Sequence, residues 1–169
     1  MKDQTAYRAE RPREVLPTSR NQDAKGEPFV GAAGQFLNRI FQKAGLQRED
    51  VYIANLLKCR PPDNRDPSPA EIRSHMPFLE SQLNIIRPKV IVTLGRFATA
   101  RLSWQMGPMG ELLKRTDLLY KTKDDQLSIP IHPLYHPSYL LRMARGKRPL
   151  AQALTKDCIA RLIKVRESV

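Results

Sequence analysis

The chain has 169 residues, 41% hydrophobic and 27% charged, which suits one folded domain with a real core and argues against general disorder. Its 29 Lys and Arg outnumber 17 Asp and Glu, a formal charge of +12 that favours a polyanionic partner, most simply nucleic acid. Two cysteines far apart, Cys59 and Cys158, make no disulfide framework; no apolar run approaches the roughly 18 residues of a membrane helix, and the N-terminus has no apolar core of a secretory signal, so a reducing, cytoplasmic setting without a membrane is expected.

Residues 1–25 are polar, hold Pro12 and Pro17 and show no apolar period, so they are expected to be disordered or loosely attached, with the domain proper over 26–169. Gly26–Gly34 reads GEPFVGAAG; its glycines permit positive φ or close approach to a ligand, and they set Phe29 on a tight loop. Ala33–Leu46 has the period of a helix, with Gly45 as its C-terminal stop. Val51–Leu57 is a short apolar run read as a buried strand, ending at Lys58-Cys59-Arg60 before the Pro61-Pro62-Asp63-Asn64 turn. Ser68-Pro69-Ala70-Glu71 is a capping box with proline at the first helical position. The helix it opens runs to about Arg87, and Pro77 should kink it or start it afresh.

Lys89–Leu94 reads as a strand buried on both faces, and Arg96–Trp104 as a short helix opening at its end. Gly107–Asp125 shows no firm period and is expected to be a loop with one turn of something. Gln126–Ile131 is a further strand, followed by His132-Pro133-Leu134-Tyr135-His136-Pro137. Ser138–Met143 reads as a helical turn capped by Ser138, Gly146–Pro149 as a basic loop, and Leu150–Val165 as a closing helix with Leu154, Cys158, Ile159 and Leu162 inward. Alternating strands and helices imply an α/β fold, a three-layer α/β/α sandwich around a central parallel sheet.

Ligands in open parallel sheets bind outside the carboxyl ends of the strands. Three loops there, or where a strand should end, carry Phe29, Asn55 and His136. An aromatic face, a carboxamide and an imidazole together suit a planar heterocycle: the ring stacks, the amide reads a base edge, and the imidazole hydrogen-bonds a developing negative charge. Taken singly, each residue has an ordinary structural reading: a core plug under a loop, a turn residue, a histidine held before proline. Only the constellation points to a site.

Four stretches, GEPFVGAAG, VYIANLLKCRPPDNR, RPKVIVTLGRFA and HPSYLLR, resemble in order and spacing the family 4 uracil-DNA glycosylases, the iron–sulfur kind. The likeness runs from about Gly26 to Arg142. It implies the uracil-DNA glycosylase fold, excision of uracil from DNA in base-excision repair, and a monomer acting on uracil-containing DNA. It also implies that Phe29 stacks on the flipped uracil, Asn55 reads its edge and His136 stabilises the departing anion. Ser138, Tyr139, Leu140, Leu141 and Arg142 would enter the duplex as the base leaves. Lys58, Arg60, Arg65, Arg142, Arg145, Lys147 and Arg148 are candidates to meet phosphates.

The chain departs from that pattern before Gly26. Family members begin with a strand, a G-E-x-P-G type loop that positions the attacking water, and an acidic pair. Here the stretch is Val15–Asp23, with Gln22 where the water-activating carboxylate is expected and Asp23 as the only nearby acid. A carboxamide cannot accept a proton from water. The family's [4Fe–4S] cluster uses four cysteines; Cys59 matches the third, and His75 stands at the spacing of the fourth, so a partial metal site with an absent or incomplete cluster is expected. Two outcomes stay open: a uracil-DNA glycosylase, or a truncated or degenerate homologue that binds DNA or a protein partner without excising uracil. Loss of the first strand would leave the sheet short of a middle member.

Overall fold

The computed structural model describes residues 31–58, 65–122 and 127–169. The expectations for residues 1–30, Phe29 among them, and for Cys59 and Arg60 lie outside those residues. The elements run α1 (Ala32–Lys43), a 3-10 turn (Arg48–Asp50), α2 (Pro69–Ile86), β1 (Ile91–Leu94), α3 (Arg96–Ser103), α4 (Met109–Leu112), β2 (Leu119–Lys121), β3 (Ser128–Leu134), α5 (Pro137–Ala144) and α6 (Arg148–Glu167).

The sheet has the order β1-β3-β2. Ile91 to Leu94 pair in parallel with Ile131 to Leu134, and Leu119 to Lys121 run antiparallel to Ser128–Pro130. The sheet is therefore mixed rather than all parallel. Strand β2 falls in the stretch read as a loop; three residues are too short to show a period of two in sequence. Tyr120 within it and Leu118 just before it are buried in the core.

Helices cover both faces, as a three-layer α/β/α sandwich requires. On one face Leu37, Ile40, Phe41 and Ala44 of α1 and the turn after it meet Leu134, Leu140 of α5, and Cys158 and Leu162 of α6. On the other, Met76, Leu79 and Leu83 of α2 meet Leu102, Leu118, Tyr120, Ile129 and Ile131. Strand alternation does the sorting: on β3, Ile129 and Ile131 face the second core while Leu134 faces the first. A buried hydroxyl pair, Thr93 Oγ1 to Thr99 Oγ1 at 2.8 Å, ties β1 to α3.

Val51–Leu57 does not form a strand in this sheet. It is extended and joins no ladder among the described residues. It nevertheless alternates as a strand does. Val51 and Ile53 pack on the first core, and Ala54 and Leu56 on the second. The apolar pattern that suggested a strand is satisfied by packing between the two layers, and backbone pairing does not follow from side-chain pattern alone.

Several ends fall where the sequence places them. Gly45 adopts φ 74 just past α1, the left-handed stop expected of glycine. Ser68 Oγ accepts from the Glu71 amide at 3.2 Å, and the Glu71 carboxylate accepts from the Ser68 amide at 2.8 Å. Helix α2 then runs unbroken through Pro77. The ring sits on the exposed side of the helix, where the carbonyl that loses its donor can face solvent. Among the described residues no helix is long and apolar enough to cross a membrane.

Leu37 is fully buried where α1 meets α5 and α6. Leu37→Ala should lower the unfolding free energy by about 2–5 kcal/mol, measured by urea denaturation at constant m value.

Candidate functional site

His136 lies just past the carboxyl end of β3, and Gly95 just past that of β1. The Gly95 amide donates to the Leu134 carbonyl at 2.8 Å, which closes the two strand ends together. Gly95 has φ 86, and a β-carbon there would stand 3.1 Å from the His136 Cβ. Both the backbone conformation and the close approach call for glycine. The sequence carried a signal for it, a single glycine between an apolar run and a helix.

His136 is the N-cap of α5. Its Nδ1 accepts from the Ser138 amide at 3.1 Å, so the imidazole takes the role assigned in sequence to the Ser138 hydroxyl. Proline at the first helical position has no amide to cap, and the next free donor is Ser138. With Nδ1 accepting, the neutral ring carries its proton on Nε2. Burial pushes the His136 pKa below the ordinary 6.5, and the Arg142 charge pushes it further down. The ring is thus a neutral hydrogen-bond donor at physiological pH.

The expected wedge is sorted by the helix. Leu140 is 1% exposed and belongs to the first core, so it is not available to enter a duplex. Tyr139 and Arg142 face outward, with Ser138 and Leu141 half-buried. Tyr139 stacks on Tyr135 with ring centroids 5.6 Å apart. Arg142, Arg145, Lys147 and Arg148 are all exposed along the last turn of α5 and the α5–α6 turn, a basic ridge at the opposite end of α5 from His136.

Two basic residues expected to meet phosphate are otherwise engaged. Lys58 is only 7% exposed. Its Nζ donates to the Asn55 carbonyl at 2.9 Å and to Gln82 Oε1 at 2.8 Å, and burial lowers its pKa. A cation committed inside the fold is no phosphate contact. Arg65 makes a two-pronged pair with Glu71 at 2.8 and 2.7 Å. That guanidinium, with the Ser68 amide, holds the Glu71 carboxyl down at about 2. Asn55 is half-buried near the end of the extended segment, three residues before Lys58.

Among the described residues the metal donors do not assemble into a set. His75 Nδ1 accepts from the Lys58 amide at 3.3 Å, which places His75 beside the residue preceding Cys59 but occupies that nitrogen. Cys158 is 1% exposed in the first core, across the sheet from α2. Burial raises its pKa, as expected of an inert thiol. Among the described residues no three His, Cys, Asp or Glu side chains group as metal ligands. The chain's two cysteines do not fit a four-thiolate cluster.

The model of the Uracil DNA glycosylase superfamily matches residues 16–159. The chain is 61% identical over 79 residues to a type-4 uracil-DNA glycosylase of Archaeoglobus fulgidus, 47% of this chain and 40% of that protein. It is 44% identical over 139 residues to one from Saccharolobus solfataricus, 81% of this chain and 62% of that protein. It is 43% identical over 123 residues to one from Sulfurisphaera tokodaii, 72% of this chain and 56% of that protein. The chain thus spans 40%, 62% and 56% of the length of these curated relatives.

A histidine whose folded pKa lies below its unfolded value stabilises the fold above pH 6.5. That stability is lost as pH falls through the folded pKa. NMR titration should show His136 with a midpoint below 6.5, rising toward it in Arg142→Ala; a midpoint above 6.5 contradicts the burial described.

Proposed function

The chain belongs to the uracil DNA glycosylase superfamily, and from that premise we propose that it acts as a uracil-DNA glycosylase in base-excision repair, hydrolysing the bond between uracil N1 and deoxyribose C1′. The observation that carries the reading is the His136 ring at the paired ends of β1 and β3, anchored through Nδ1 and so carrying its proton on Nε2. When the glycosidic bond breaks, its electron pair leaves with the base, and negative charge builds on the uracil oxygens. A fixed donor there is worth most in the transition state, about 2.7–4 kcal/mol for a single oxyanion donor. Water supplies hydroxide to C1′, and its proton is left for the departing base.

The Asn55 carboxamide supplies a matched pair for the uracil edge: its oxygen accepts from N3–H and its NH₂ donates to O4. Cytosine presents the reverse pattern, so the same amide turned for uracil disfavours it. Phe29 supplies the stacking face. The partner is DNA. The exposed Arg142, Arg145, Lys147 and Arg148 would meet its phosphates, and the exposed Tyr139 would fill the space a flipped base leaves. The protein acts as a monomer.

A second reading, DNA binding without excision, is favoured by Gln22 standing where a water-activating carboxylate is expected. Phosphate contacts tolerate loose geometry, whereas water attack does not. Single-turnover excision from a uracil-containing oligonucleotide, run beside salt-dependent binding, separates the two. We expect excision slower than about 1 per second, reduced a further 10²- to 10³-fold in His136→Ala. Binding should fall steeply with salt, with the slope reduced by about 2 in the Arg145→Ala/Lys147→Ala double variant. Excision indifferent to His136→Ala would overturn the assignment, and complete absence of excision with intact binding would establish the second reading.

The same donor inventory leads us to infer that this chain alone does not complete a [4Fe–4S] cluster. Purified protein should contain far less than about four irons per chain; a brown preparation with full iron would mean that ligands come from elsewhere, such as a second chain.

A further inference from the structure

Lys58 is the least exposed lysine or arginine among the described residues, and its partners form a pattern. Its backbone amide donates to His75 Nδ1 at 3.3 Å. Its Nζ donates to Gln82 Oε1 at 2.8 Å and to the Asn55 carbonyl at 2.9 Å. His75 and Gln82 are seven residues apart on α2, two turns, so they share one face of that helix. This helix face therefore grips the end of the extended segment at two points. The second grip passes through the ammonium to the backbone of Asn55.

The grip matters because of where it acts. Among the described residues Val51–Leu57 is in no ladder, and the Lys58 ammonium is bonded directly to the backbone carbonyl of Asn55. A carboxamide that tells one base from another must hold its oxygen and nitrogen to within a fraction of an ångström. A charged donor in a buried setting makes the stronger class of hydrogen bond, and it holds both acceptors at once.

We propose that Gln82 and Lys58 are positioning residues for base recognition: Gln82 seats the Lys58 ammonium against the Asn55 carbonyl, and this latch sets the carboxamide that reads the base. The inference rests on the reading of Asn55 as the base reader. Gln82 itself touches no substrate. It gave no signal in sequence, because a glutamine near the end of an amphipathic helix is ordinary.

The test compares Gln82→Leu and the unbranched Gln82→Met with Gln82→Glu, which keeps an acceptor for Lys58. Urea denaturation first confirms that each variant folds. The readout is the ratio of affinities for oligonucleotides carrying a single uracil or a thymine in its place. Gln82→Leu and Gln82→Met should shrink that ratio on the order of 10-fold and leave affinity for the thymine oligonucleotide unchanged. Gln82→Glu should restore it to within about twofold. A merely structural role would lower both affinities together. A ratio unchanged in Gln82→Leu overturns the latch. A wild-type chain with no uracil preference fails the base-reading assignment instead, and the latch is then decided by the Asn55 carbonyl carbon resonance. The latch requires that resonance to move in Gln82→Leu and return in Gln82→Glu; an unmoved resonance overturns it.

Discussion

The parallel pairing of Ile91–Leu94 with Ile131–Leu134 is the constraint from which the site follows. The two strands end side by side, and the Gly95 amide to Leu134 carbonyl bond locks those ends at 2.8 Å. Past that lock the chain must turn out of the sheet twice, once into α3 and once into α5. Both turns use one small space. Glycine on one side leaves room for the imidazole on the other. His136 is then held by the fold at its backbone and by the Ser138 amide at its ring. A donor with both its place and its tautomer set by structure carries little reorganisation cost at the moment charge develops.

Asn55 is positioned by a different route. Its segment lies between the two cores by side-chain alternation, and its end is gripped by α2 through Lys58. On the proposed reading, the two halves of a base site would be held by unequal means: sheet hydrogen bonds for the imidazole, a helix-borne latch for the carboxamide. Mutations in α2, far along the chain from either, are where the two halves would separate in their effects.

Much of this was legible in sequence where local chemistry decides the outcome. The Ser68–Glu71 box, the Gly45 stop and the inward stripe of α6 each depend on residues a few positions apart, and each is present. What failed needed distant partners. Val51–Leu57 has strand composition, but a ladder requires a neighbour the pattern cannot reveal. Strand β2 is three residues long and exists through its pairing with β3. Lys58 looked like a phosphate contact because it heads a basic loop, and only the folded chain brings Gln82 to it. Leu140 looked like part of a wedge because its motif is apolar; helix geometry turns Tyr139 outward and Leu140 inward. The part of His136 in capping α5 was not legible, since a histidine cap has no strong sequence signature.

The central claim is that His136 and Asn55 hold one base between them. Titrating free uracil into the ¹⁵N-labelled protein, and following the His136 ring and the Asn55 side-chain amide together, tests it most directly. The account predicts that both sets of resonances move along one binding curve and that thymine moves neither to the same extent. Movement at only one of them, or at two sites with different affinities, would contradict a common pocket.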